Sequence, residues 1–233
     1  MANYYITGHG VIVLNKVTPV INALFKTYRI GPFDESESAA CITFISDEHL
    51  PDWDEVLAGL KALAEDRHVD MSQNTDNSTS GFLASLARHF NKTNDDPGVQ
   101  KLKTYSFTGT PELDILFRLA SLFDDGHSIE SIQYHEYWFS DKVRAGEFNG
   151  MGKFISHELT CEFDTQQVVD LGTCLHTAVC QNKPESAAQE LFNEIQGILR
   201  GIHNSENRML IQKSLADLLQ ADEKSNCNKS HQT

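Results

Sequence analysis

The stretch Tyr4-Tyr5-Ile6-Thr7-Gly8-His9-Gly10-Val11-Ile12-Val13-Leu14, followed by Thr18-Pro19 and then Val20 to Tyr28, decides the fold class. Its first part is rich in β-branched and aromatic residues and reads as a strand. Proline then stands where a helix begins, because its missing N–H would have no partner in the first turn, and Thr18 is placed to cap it. The same order recurs twice. Ala39 to Ile45 leads through Leu50-Pro51 to a predicted helix from Trp53 to Glu65. Leu102 to Phe107 leads through Thr110-Pro111 to another from Leu113 to Phe123, with Thr110 as its cap. Such units specify a mixed α+β chain.

The second and third of these helices align with each other across one gap. Asp54, Leu57, Leu60, Leu63, Glu65, Asp66 and His68 match Asp114, Leu116, Leu119, Leu122, Asp124, Asp125 and His127. Duplication of a βα unit explains this, and so does the shared spacing of any two core-facing helices. Between them, Asp70 to Gly98 is rich in Ser, Thr, Asn and Asp and reads as a linker, interrupted by Phe82, Leu83, Leu86 and Phe90 on one helical stripe.

Further along, Ile129 to Phe139 and Phe148 to Phe163 are predicted strands joined by a turn at Ala145-Gly146. Alternation puts Tyr134, Glu136 and Trp138 on one side and Gln133, His135, Tyr137 and Phe139 on the other. Asp164-Thr165 opens a helix to about Val179, Pro184 opens the next, and Ser205 caps the last. Stripes of Leu191, Ile195, Ile198, Leu199 and Ile202, then of Leu210, Ile211, Leu215, Leu218 and Leu219, predict an antiparallel helical hairpin. The expected fold is α+β, with ferredoxin-like βαβ units, in duplicate if the helix alignment reflects descent, followed by a C-terminal helical hairpin. The expected domains are an α/β unit at 1–72, a polar linker with a short helix at 73–100, a second α/β unit at 101–182, the hairpin at 183–222 and a disordered tail at 223–233.

Three short runs, Ser121-Leu122-Phe123-Asp124, Ile132-Gln133-Tyr134-His135-Glu136 and Glu147-Phe148-Asn149-Gly150, resemble the ferredoxin-like domain of uncharacterised proteins carried by plasmids and phages. The resemblance covers about residues 102–155. It implies a mobile-element accessory protein and carries over no catalytic residue.

Charge is segregated along the chain. Residues 1–33 have no Asp or Glu and a charge of +3, whereas the other 200 hold −17, for a net −14. Residues 34–60 contain eight carboxylates and no Lys or Arg. Such a chain attracts basic partners and repels phosphate backbones, so direct nucleic-acid binding is not expected. The expected partner-binding acidic patch comprises Asp34, Glu35, Glu37, Asp47, Glu48, Asp52, Asp54 and Glu55, with Glu112, Asp114, Asp124 and Asp125 from around the third helix. A solvated acidic surface is the plainer reading of the same residues.

Five widely spread cysteines (Cys41, Cys161, Cys174, Cys180 and Cys227) and a start without a secretory pattern point to reduced thiols and a cytoplasmic setting. No apolar run is long enough for a membrane span. His135, His157 and Cys161 are the candidate metal ligands, because pairing of the predicted hairpin brings the two imidazoles toward one face; no cofactor is expected. Cys174, His176 and Cys180 share a helix, and Cys174 and Cys180 point to different faces, so they read as core. Gly8-His9-Gly10 and Gly150-Met151-Gly152-Lys153 lack the spacing of a phosphate loop and read as bulges or turns. No Gly-x-Ser-x-Gly elbow or calcium loop occurs.

Three functions fit these features. The leading one is a non-enzymatic acidic interaction protein, a plasmid or phage accessory or anti-defence factor that blocks a basic, nucleic-acid-binding protein. The others are a small enzyme or metal-binding protein using the His and Glu residues of the central hairpin, and a structural homodimer joined through its C-terminal helices.

Overall fold

The first strand, β1 (Tyr4–Val13), lies at the centre of the sheet rather than at its edge. The computed structural model describes residues 4–32, 39–46, 50–72, 78–142 and 146–229. Its other elements in chain order are α1 (Pro19–Phe25), β2 (Ile30–Pro32), β3 (Ala39–Ser46), α2 (Trp53–Asp66), α3 (Thr79–His89), α4 (Pro97–Thr104), α5 (Leu113–Leu122), β4 (Ser131–Ser140), β5 (Phe148–Ser156), β6 (Thr160–Asp164), α6 (Thr165–Cys180), α7 (Pro184–Arg200) and α8 (Ser205–Lys229). The chain is therefore α+β. Its contacts divide it into two units, one of residues 1–156 with 162–166 and one of 157–161 with 167–233.

In the first unit the strand order is β2-β3-β1-β4-β5, and β6 lies beyond β5. The ladders β2–β3, β3–β1, β1–β4 and β4–β5 are all antiparallel. It follows that β1 and β2 run parallel with β3 between them, and β3 and β4 run parallel with β1 between them. Each crossover thus skips one strand. The two βα segments expected at 1–72 and 101–182 share this one sheet, and the expected boundary through 73–100 does not separate them. The reason is packing: Phe82, Leu83 and Leu86 of α3 and Val99 and Leu102 of α4 are buried in the same core as α1, α2 and α5.

Local sequence explains most element starts. Pro19 is at the first helical position of α1 and Thr18 Oγ1 accepts from the Ile21 N–H at 3.4 Å, as expected. Pro97 and Pro184 likewise open α4 and α7, but Pro51 and Pro111 stand two residues before the first residue of α2 and α5. Asp52 caps α2, accepting from the Asp54 N–H at 2.8 Å, and Glu112 rather than Thr110 holds the cap position of α5. After α1 a short 3₁₀ turn ends at Arg29, whose φ of 48° reverses the chain into β2.

Three expectations about element bounds give way in the structure. Leu102 belongs to a helix and not a strand, because Asp96-Pro97 starts α4 and buries Val99 and Leu102 on one face. Tyr105 and Phe107 follow without regular structure and pack edge-on around the buried Trp53. The predicted strand 148–163 breaks at 157–159, where the Glu158 carbonyl accepts from the His203 N–H and Leu159 bridges Ile202. Finally α8 continues to Lys229, past the expected end near 222, since nothing in Asp222-Glu223-Lys224 breaks a helix.

The second unit holds α6, most of whose residues are exposed, then α7 and α8. Its Cys174, His176 and Cys180 are exposed, not core; Ala178 takes the inward position instead. Of its apolar side chains among the described residues, only Ala178 and Leu199 are buried.

Candidate functional site: the open face of the sheet

Alternation along the strands gives the first-unit sheet two unlike faces. One face carries Ile12, Ala40, Ile42, Ile132, Tyr134 and Ile155 into the core beneath the helices. The other carries Tyr5, Thr7, His9 and Val11 of β1, Cys41 and Thr43 of β3, Gln133, His135, Tyr137 and Phe139 of β4, and Phe148 and Phe154 of β5. The division of 133–139 matches the expectation from sequence. Tyr137 and Phe139 remain 39% and 41% exposed.

Register brings the aromatic rings of this open face together. His9 opposes His135 and Tyr5 opposes Phe139. The imidazoles of His9 and His135 stack with centroids 5.2 Å apart, and Tyr137 lies over His9 at 6.0 Å. Tyr5 and Phe139 stack at 5.4 Å. On the far side of β4, glycines stand opposite the rings: Gly152 pairs with His135 and Gly150 with Tyr137. A Cβ at Gly150 would come within 3.1 Å of the Tyr137 ring, so a glycine there lets that ring lie flat on the strand. Among the described residues of β1, β3, β4 and β5 that point this way there is no Asp, Glu, Lys or Arg. An uncharged aromatic surface stands out in a unit whose twenty-four acidic and thirteen basic residues give it −11.

Gly8-His9-Gly10 is neither bulge nor turn. It continues the ladders on both sides of β1, and a Cβ at Gly10 would collide with the Gln133 carbonyl oxygen. Gly150 to Lys153 likewise lies within β5.

The expected acidic patch is dispersed. Asp34, Glu35, Glu37, Asp47 and Glu48 lie outside the described residues. Asp52, Asp54 and Glu55 are exposed at the start of α2, and Glu112 is exposed at the start of α5. These two starts adjoin, since the Trp53 N–H donates to the Gly109 carbonyl at 3.0 Å. Carboxylates there also favour the helix dipoles. Asp114 pairs instead with Lys153 at 3.0 Å, and Glu162 pairs with the same ammonium at 3.0 Å. Burial disfavours the charged lysine, but the two carboxylates outweigh it and hold its pKa above the ordinary lysine value. On the same core side of β4, the Tyr134 hydroxyl donates to Glu136 Oε2 at 3.0 Å. Burial first, and then the Glu136 charge, push the Tyr134 phenol up.

Asp124 and Asp125 lie at the other end of α5 and serve the fold. Asp124 Oδ1 accepts from the Gly126 and Ser128 N–H groups at 2.9 and 3.1 Å. Asp125 turns inward, with its side chain 3% exposed, and takes Arg67 Nη2 at 2.6 Å and His127 Nδ1 at 3.0 Å. Burial works against its charge, but hydrogen bonds from Thr18 and His127 and the charge of Arg67 hold its carboxyl below the usual range. His127 is fully buried, with Nε2 3.0 Å from the Ala120 carbonyl and Nδ1 3.3 Å from Thr18 Oγ1. This network ties the cap of α1, the end of α2 and the end of α5. The aligned histidines differ accordingly: His127 is core, while His68 is exposed in a left-handed turn.

Nor does register set His157 opposite His135. Gly152 holds that place, and the β4–β5 ladder closes with Ser131 against Ser156. The His157 carbonyl accepts from His203 Nδ1 at 2.8 Å within the second unit. Cys161 is half-buried there, and among the described residues no three His, Cys, Asp or Glu side chains group as metal ligands. The partner of His135 is His9, which spacing alone did not signal because the β1–β4 pairing spans most of the unit. None of the described helices is long and apolar enough to cross a membrane.

No protein-family model matches this chain, and neither a curated protein nor a solved structure matches it.

Proposed function

We propose that this chain is a non-enzymatic interaction protein that docks a basic protein partner on the open face of its sheet. One observation carries the reading: a contiguous aromatic and histidine surface that, among the described residues of β1, β3, β4 and β5, is free of Asp, Glu, Lys and Arg, on a unit of charge −11. The two features divide the work of recognition. Net negative charge steers basic partners in and repels nucleic acid. Once docked, the rings of Tyr5, His9, His135, Tyr137 and Phe139 supply desolvated contacts and cation–π acceptors for Lys or Arg side chains. Exposed Asp52, Asp54, Glu55 and Glu112 contribute to the steering field and not to the docked contact.

The skipped-strand connections of β1 to β4 support a ferredoxin-like arrangement for this unit, in keeping with the resemblance to plasmid- and phage-borne proteins. On that footing the partner is a host nucleic-acid-handling protein, and blocking its basic groove in the cytoplasm is the biological role.

The test is capture on immobilised protein from a nuclease-treated bacterial lysate at low and high salt. It uses wild type, Tyr137→Ser/Phe139→Ser and Asp52→Asn/Asp54→Asn/Glu55→Gln. A partner lost with the aromatic variant and weakened in on-rate with the acidic variant is the expected result. Capture that survives the aromatic substitutions would remove the sheet face from the reading.

A further inference from the structure

The second unit lacks a core of its own, and the structure points to what supplies one. We propose that α7 and α8 form an antiparallel hairpin that pairs with the same hairpin of a second copy of this chain, closing a four-helix bundle.

The turn between the two helices is already fixed. The Thr160 N–H donates to the Gly201 carbonyl at 2.9 Å and the His203 N–H to the Glu158 carbonyl at 2.8 Å. Arg208 Nε and Nη2 both donate to the Ile202 carbonyl, at 3.1 and 2.7 Å. A Cβ at Gly201 would collide with the Thr160 carbonyl oxygen, so the close approach demands glycine. The connection is built, but the faces it presents are bare. Leu191, Ile195 and Ile198 follow one another at i, i+4 and i+7 on α7, as do Ile211, Leu215 and Leu218 on α8. This is the spacing of a bundle seam.

Exposure shows that these seams are unfilled. Leu191, Phe192, Ile198, Met209, Leu210, Ile211, Leu218 and Leu219 are between 42% and 68% exposed. So many exposed large apolar side chains on two helices are unusual on a monomer. Eight large side chains about half exposed amount to an area of the order of the ~800 Å² that each partner contributes to a stable interface.

Charge identifies the occupant as another copy. The second unit has nine acidic and six basic residues, a net −3, whereas the first has −11. The helices therefore form the part of this chain that a like-charged copy can approach with little repulsion. Charges of both signs flank the stripes, with Glu190 and Glu194 beside that of α7 and Arg208 beside that of α8. A two-fold axis sets such mixed flanks against each other, as an isologous interface requires.

Sedimentation equilibrium of the full chain tests this. A mass of twice 26.1 kDa is expected at micromolar concentration. Leu191→Glu/Leu218→Glu should weaken association at least about a hundredfold, because each copy would bury two unpaired carboxylates. Both positions are exposed in the single chain, so the near-ultraviolet spectrum from the first unit should stay unchanged. Hydrogen exchange on wild type serves if that variant aggregates: amides of 184–219 should lose protection on dilution, in step with dissociation, while those of β1 and β4 do not. A wild-type monomer, a dimer unaffected by the substitutions, or protection of α7 and α8 that ignores concentration would each overturn the proposal. Since none of these readouts involves the open sheet face, failure here leaves the partner reading standing.

Discussion

The two units of this chain are built from helices of similar amphipathic pattern and reach opposite outcomes. In the first, α1, α2, α3, α4 and α5 close over one face of a sheet, and Leu24, Trp53, Leu60, Leu116 and Phe123 are buried at or near zero exposure. In the second, α7 carries a stripe as regular as any, yet only Leu199 of that helix is buried. An apolar stripe is therefore a demand for a partner surface. It does not say whether the partner lies in the same chain. Where a sheet exists the demand is met within the unit; where none exists the stripe stays exposed.

The comparison can be broken at its strongest point first. Leu116→Ala should cost the first unit about 2–5 kcal/mol, because a fully buried leucine leaves a cavity, and urea unfolding followed by tryptophan fluorescence will read it. Gly10→Ala should come next, at roughly 1–3 kcal/mol, since the new methyl meets the Gln133 backbone, which has little freedom to retreat inside the sheet. Asp125→Asn should cost about 1–3 kcal/mol at neutral pH, by leaving Arg67 and His127 short of a charged acceptor. Its pH dependence sharpens the point. A carboxyl held below its unfolded value of about 3.9 stabilises the fold above that pH and loses the contribution as pH falls through the folded pKa. Acid unfolding below about pH 4 should therefore flatten in the asparagine variant.

Lys153→Met should have a smaller effect, about 0.5–1 kcal/mol, because Asp114 and Glu162 are partly solvated. The sign is reversed here. The raised lysine pKa gives stability that is complete below about pH 10.4 and lost above it, so only the alkaline limb of a pH–stability profile should change. Smallest of all, Leu218→Ala in the second unit should move first-unit unfolding by no more than about 0.5 kcal/mol. A larger shift would show that the two units do not unfold separately.

Much of this fold was legible in the residues. Thr18-Pro19 and Pro184 mark helix starts with local chemistry, whereas Asn204 and not Ser205 caps the last helix, its Oδ1 accepting from the Asn207 N–H at 2.9 Å. The alternation from Gln133 to Phe139 assigns the two sheet faces correctly. The stripe through Phe82 and Leu86 marked a helix inside an otherwise polar segment. What failed was whatever depends on a distant partner. Leu102 to Phe107 looks like a strand until Asp96-Pro97 is seen to start a helix that buries Leu102 beside Val99. Asp124 and Asp125 look like surface charge, and only the approach of Arg67 and Thr18 turns Asp125 inward. Similarly, the aromatic face was visible on β4 alone. That His9 and Tyr5 complete it depends on the β1–β4 ladder, which no local pattern encodes.

That ladder also bears on how the protein is made. Val13 pairs with Ser131 and Tyr4 with Ser140, so one side of β1 waits for a strand synthesised more than a hundred residues later. At 5–20 residues per second that interval is roughly 6 to 25 seconds, during which β1 and β3 present an unpaired edge beside the ribosome. Closing so long a loop makes maturation slow by topology. The emerging chain is thus most exposed to mispairing before β4 arrives, and a holding chaperone would have its natural window there.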